Sequence, residues 1–107
     1  MTTEEDQARF LRCIGEPTRL QLLKLLANGE KCVNEIALAL NKEQSLISHH
    51  LKSFKECNIV KERQEAQKVY YRIADDRLAN LVIESEALMN ELSLCKHQGV
   101  NCGRQED

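Results

Sequence analysis

The sequence predicts a mainly α-helical domain of five helices with one small β-hairpin set before the last of them. Three observations lead there. Apolar residues recur at three- and four-residue steps along most of the chain, the repeat of a helix with one buried face. A single stretch, residues 59–73, changes to period two. Aromatic and turn-forming residues are scarce: two Phe, two Tyr, no Trp, one Pro and four Gly. A core must then be built from Leu, Ile, Val and Ala, and 107 residues are enough for one domain with a modest core.

The elements follow in order. Residues 4 to about 14 predict a short helix with Phe10, Leu11 and Ile14 as its apolar contacts. "GEPTRLQLLKLLANGE" predicts a second. Pro17 suits a first turn, where its missing N–H costs nothing, Leu20, Leu22, Leu23, Leu25 and Leu26 supply the apolar body, and Asn28-Gly29 ends it. "CVNEIALAL" predicts a third helix with Val33, Ile36, Ala37 and Leu40 turned inward, and "NKEQ" a polar turn. "SLISHHLKSFKEC" then places Leu46, Ile47, Leu51 and Phe54 on one face, with Asn58 as a left-handed cap. "IVKERQ" and "QKVYYRI", joined through "EAQ", predict the hairpin. Asp75 can cap a last helix striped with Leu78, Leu81, Val82, Leu88, Met89, Leu92 and Cys95. Residues 1–95 form the domain in this reading, and 96–107 a polar, flexible tail carrying Cys102.

The net charge is −2, but it is unevenly spread. Residues 42–72 hold seven Lys/Arg and four Glu, a balance of +3, against −5 for the remainder. A basic segment inside an acidic chain is an electrostatic footprint for a polyanion. It covers the turn, the fourth helix and the hairpin; joined to the third helix by that short turn, the fourth would lie in the major groove of DNA, the helix-turn-helix arrangement. Ser45, Ser48 and His49 would meet base edges and Lys52 and Lys55 phosphates. The hairpin would be a wing, bringing Arg63, Gln64, Gln67 and Lys68 to the adjacent backbone or minor groove. With Gln44 at the helix start, the expected DNA-binding set is Gln44, Ser45, Ser48, His49, Lys52, Lys55, Arg63, Gln67 and Lys68. The last helix carries more apolar surface than so small a core can cover, so burial against a second copy is expected. No run of about 18 apolar residues is present to span a membrane. The acidic N-terminus lacks a signal-peptide core, so a cytoplasmic protein is expected.

"GEPTRLQLLKLL", "CVNEIALAL", "SLISHHLKSFKECNIV" and "QKVYYRI", in this order and spacing, resemble the ArsR/SmtB family of winged-helix repressors over roughly residues 8–92. The resemblance implies a winged helix-turn-helix, a homodimer joined through the first and last helices, and binding to double-stranded operator DNA until a metal, metalloid or thiol-reactive signal arrives. Two positions depart from the family's pattern. Ala66 stands where the wing usually turns on Gly, so a wider turn is expected, and Glu43 stands where a Ser usually caps the recognition helix.

Cysteines are the natural sensors. Five of them (13, 32, 57, 95 and 102) in a reducing compartment are expected as thiols, not as a disulfide framework. The family's C-x-C box in the third helix survives only as Cys32, because Asn34 takes the second place. Its divalent-ion sites on the last helix fall on Asp75, Arg77, Leu88 and Glu91, of which Arg77 and Leu88 cannot ligate. The resemblance therefore leaves Cys57, Cys95 and Cys102 as the expected ligand set, with Cys32 in reserve. Three thiolates suit As(III) or Sb(III), or Cd(II) and Pb(II), as inducer, with no cofactor needed for DNA binding. Cys13 reads as a core residue, since free cysteine packs as a small hydrophobe. Three rival readings stand beside this one. The thiols could sense oxidant or sulfide through a disulfide or polysulfide. The chain could buffer metal without touching DNA. A His/Cys enzyme is disfavoured, because His50 and Cys57 lie about 10 Å apart on one helix.

Overall fold

The computed structural model describes residues 2–92. Cys95, His97, Cys102, the end of the expected domain at residue 95 and the expected tail 96–107 lie outside the described residues. The elements are α1 (Glu4–Ile14), α2 (Pro17–Leu26), β1 (Lys31–Cys32), α3 (Val33–Leu40), α4 (Gln44–Glu56), β2 (Val60–Glu65), β3 (Lys68–Ile73) and α5 (Asp76–Leu92). This is the five-helix winged helix-turn-helix that the periodicity predicts.

Local chemistry sets the helix ends. Thr3 and Asp6 form a reciprocal capping box at the start of α1, each accepting the other's backbone N–H at 3.2 Å. Pro17 opens α2 behind Glu16, whose carboxylate accepts the N–H of Arg19 at 2.9 Å. At the end of α4 the N–H groups of Asn58 and Ile59 return to the carbonyls of Lys55 (3.0 Å) and Phe54 (2.8 Å), with Asn58 at φ 62°. That is a Schellman ending with its buried apolar residue, Ile59, in place. The start of α4 has no such help, because Glu43 makes no side-chain cap bond.

Leu22, Leu23, Ile36, Ile47, Leu51, Phe54 and Ile59 are fully buried, so the core lies where α2, α3 and α4 meet over the root of the hairpin. One expectation about α4 is corrected here. Its inner face is Ile47, His50, Leu51 and Phe54; Leu46 is exposed (38%), while His50 is buried. A four-residue step from Leu46 reaches position 50, and the protein fills that inward position with a histidine that has its own partner.

The sheet holds one strand more than the hairpin supplies. β2 and β3 pair antiparallel from Val60 with Ile73 to Glu65 with Lys68, and β1 adds to the far edge of β3 through Lys31 with Tyr71 and Cys32 with Tyr70. The wing turn is not widened. Two residues, Ala66 and Gln67, span it, and Ala66 takes the left-handed φ of 56° that a glycine would occupy without strain.

α5 packs on α2, anchored by Val82 and by the Lys24–Glu86 ion pair at 2.8 Å. Much of its apolar stripe stays uncovered among the described residues: Leu88 is 53% and Leu92 57% exposed, with Leu81 and Met89 also open. Phe10 and Leu11 of α1 are exposed as well.

Candidate nucleic-acid interface

Burial of Ile47, His50, Leu51 and Phe54 fixes the rotation of α4, and the opposite face follows from it. Gln44, Ser45, Ser48, His49, Lys52 and Lys55 are all exposed, spaced along one side of the helix. Arg63, Gln67 and Lys68 are exposed on the wing. All nine residues read from the sequence are thus presented to solvent on α4 and the wing.

Their charges are not equally available. Lys55 Nζ lies 2.8 Å from Glu62 Oε2, which holds the ammonium above the usual lysine range. Arg63 is gripped by Glu30 and Glu65, with its guanidinium 4.9 Å above the Tyr70 ring, and the Glu30 carboxyl is held low by that arginine. Lys52 and Lys68 form no ion pair among the described residues. Exposed ion pairs are weak, about 0–1 kcal/mol. A phosphate can therefore replace Glu62 on Lys55, but the exchange is a competition, which Lys52 escapes.

Behind this face lies a contact the sequence reading did not anticipate. Arg19, in the segment GEPTRLQLLKLL, donates Nε–H to Nδ1 of His50, in the segment SLISHHLKSFKECNIV, at 3.0 Å. Its Nη1 donates to the carbonyl of Cys13 at 2.9 Å, and its guanidinium stands 5.8 Å from the Phe54 ring. One side chain thus ties the end of α1 to the middle of α4. His50 must be neutral to accept this bond, and burial, foremost, holds its pKa below the usual 6.5. Both segments stand in the sequence, but their contact across 31 residues is a property of the fold.

The cysteines separate by place. Cys32 is buried at the β1–α3 junction, where its backbone N–H donates to Glu35 Oε1 at 3.0 Å and holds that carboxyl low. Cys57 ends α4 and is exposed. Cys13 is buried, as its core reading requires, but its thiol also donates to Cys57 Sγ at 3.0 Å. Burial, foremost, pushes the Cys13 pKa up to about 11, helped by the Cys57 sulfur and opposed by Arg19. At the head of α5 the Asp75 carboxylate accepts two bonds from Arg77 Nε (3.1 and 3.2 Å) and one from Nη2 (2.7 Å), which draws its pKa down to about 2. Among the described residues no group of three or more His, Cys, Asp or Glu side chains is placed to hold a metal ion. No helix among them is long and apolar enough to cross a membrane.

Comparison with known proteins adds the following. The model of the arsR family of bacterial regulatory proteins matches residues 16–62, from the cap of α2 into β2. An uncharacterized HTH-type transcriptional regulator of Methanocaldococcus jannaschii is 45% identical over 83 residues, covering 77% of this chain and 93% of that one. A homolog of the cadmium resistance transcriptional regulatory protein CadC from Staphylococcus aureus is 32% identical over 72% of this chain, which spans only 64% of that relative's length. Among solved structures, a homodimeric winged helix-turn-helix DNA-binding domain from Mycobacterium bovis superposes with a TM-score of 0.72. It is 33% identical and covers 88% of this chain and 86% of that one.

Proposed function

Since the chain belongs to the ArsR family of bacterial regulatory proteins, we propose that it is a cytoplasmic, homodimeric transcriptional repressor that leaves its operator when thiolates capture a soft metal or metalloid. The observation that carries the reading is the placement of Cys57. It closes the same helix whose outward face presents Gln44, Ser45, Ser48, His49 and Lys52, so a ligand at that thiolate acts directly on the DNA-reading element.

In this reading α4 enters the major groove of double-stranded DNA. Ser45, Ser48 and His49 meet base edges, Lys52 and Lys55 meet phosphates, and Arg63, Gln67 and Lys68 follow the adjacent backbone. The exposed apolar faces of α1 and α5 support a dimer joined through those helices, which would present two copies of α4 to successive grooves. The inducer is As(III) or Sb(III), or Cd(II) or Pb(II), bound by Cys57 with Cys95 and Cys102, and Cys32 in reserve. The cadmium-resistance regulator among the relatives supports the class of ion. Thiolate softness supports it too, because such ions favour sulfur over the carboxylates this chain carries in excess. Ligation needs only a few kcal/mol of coupling to move the operator from mostly occupied to mostly free. The reading assigns the chain no catalysis.

The test is fluorescence anisotropy of the reduced full chain on DNA from its own promoter, titrated with As(III) and then Cd(II). The wild type should bind at low salt and dissociate on titration, while Cys57→Ser should bind and stay bound. Metal binding by a chain that never binds DNA would favour a metal-buffering protein.

A further inference from the structure

We propose that Cys13 and Cys57 form an oxidisable dithiol, closing to an intrachain disulfide on meeting a hydroperoxide and so loosening the hold of α4 on DNA. The thiol chemistry stands on geometry alone; its effect on DNA rests on the repressor reading above.

The two sulfurs come from the ends of α1 and α4, 44 residues apart, and lie 3.0 Å from each other. An S–S bond is about 2.0 Å long, so closure asks them to approach by only about 1 Å. Their environments divide the labour. Cys57 is exposed and meets the oxidant first; Cys13 is buried directly behind it, its thiol donating to the Cys57 sulfur. The Cys57 thiol takes one oxygen from the hydroperoxide, giving a sulfenic acid and an alcohol, or water when the oxidant is hydrogen peroxide. The Cys13 sulfur then attacks the Cys57 sulfur and displaces that oxygen as a second water, which carries away the Cys13 proton. Two thiols are oxidised by two electrons and one peroxide O–O bond is broken.

The bond would join two elements with different duties. Cys57 is the C-cap of α4, whose inner face is held by the fully buried Ile47, Leu51 and Phe54. Cys13 also lends its carbonyl to Arg19, which holds His50 in the middle of α4. A shift at residue 13 therefore reaches α4 at two points, its end through sulfur and its centre through arginine. Hydrogen bonds to base edges tolerate only tenths of an ångström in length, so a displacement of this size at the reading helix weakens them. Linkage requires the converse: operator DNA, binding the reduced form more tightly, shifts the thiol–disulfide equilibrium toward the reduced pair.

The experiment treats the reduced full chain with hydrogen peroxide, alkylates the remaining thiols and maps tryptic peptides without reductant. Peptides 13–19 and 56–61 hold one cysteine each. They should appear linked, two hydrogens lighter than their sum, in protein that still runs as a single chain. Recovery of both as alkylated thiols, or their linkage to Cys32, Cys95, Cys102 or another molecule, would overturn the assignment. Oxidised wild type should bind promoter DNA at least tenfold more weakly than reduced, with dithiothreitol restoring affinity. Cys13→Ala, at a position outside the proposed inducer site, should bind alike before and after peroxide. A disulfide that forms with affinity unchanged within twofold refutes the regulatory half. Reduced protein that binds no promoter DNA defeats the repressor reading, while the peptide map still decides the disulfide.

Discussion

Lys52 and Lys55 lie three residues apart on one helix face, yet the structure gives them different electrostatic standing, and salt dependence reads that difference directly. Each phosphate neutralised on duplex DNA contributes about 0.9 to the slope of log affinity against log salt. A dimer uses two copies of each lysine, so Lys52→Ala should flatten the slope by about 1.8. Between 50 and 200 mM salt the variant should then lose about 12-fold less affinity than the wild type. Lys55→Ala should flatten it by less, because Lys55 must first leave Glu62, 2.8 Å away. The informative partner is Glu62→Gln, which removes the competing carboxylate and nothing buried. It should tighten binding at least threefold at low salt and steepen the slope, and Lys55→Ala made in that background should have the larger effect that Lys52→Ala has alone. Anisotropy titrations at four salt concentrations on specific and scrambled duplexes would measure all five proteins, wild type included. Equal slopes for Lys52→Ala and Lys55→Ala, with Glu62→Gln neutral, would refute the argument that the ion pair rations the charge of α4.

Other consequences are as direct. Ser48→Ala should change the order of preference among operator variants while leaving the salt slope intact, as a competition against a randomised duplex pool would reveal. His50 must stay neutral to accept from Arg19, and its pKa is depressed. The unfolded chain therefore binds the extra proton, so stability is full above pH 6.5 and is lost as pH falls below it. Urea midpoints at pH 7.5 and 5.5 should differ for the wild type and converge for His50→Asn; the carboxylates with lowered pKa titrate below this window. Ala66→Gly should raise stability by about 1 kcal/mol by relieving the left-handed backbone at the wing, and an unchanged urea midpoint would contradict it. Glu43→Ser should add about 1 kcal/mol by capping α4, visible as slower amide exchange in its first turn.

Periodicity made the helices and hairpin legible, because a buried face repeats every three to four residues in one and every two in the other. β1 was not legible: two residues have no period, and Lys31–Cys32 is a strand only because β3 has a free edge beside it. The inner face of α4 was misread at Leu46, which hydropathy turns inward, and His50 was given no place on it, because burial of a histidine depends on a partner and Arg19 lies far away in sequence. The same distance hid the thiol pair. Cys13 reads correctly as buried from its neighbours, but its contact with Cys57 belongs to the packing of α1 against the end of α4. The exposure of Gln44, Ser45, Ser48, His49, Lys52 and Lys55 was legible because their face is the complement of the core, and outward side chains need no partner to be placed.

The uncovered faces of α1 and α5 make abundance a thermodynamic variable for this chain. If a second copy is what covers Phe10, Leu11, Leu88 and Leu92, the folded state is drawn forward by mass action and its melting temperature climbs with concentration. Dilution would then thin both the population of native molecules and the pairs able to span two half-sites, so occupancy would fall faster than in proportion to dose. A cell that makes this protein in small numbers would hold its operator through a steep function of how much it makes, before any inducer arrives.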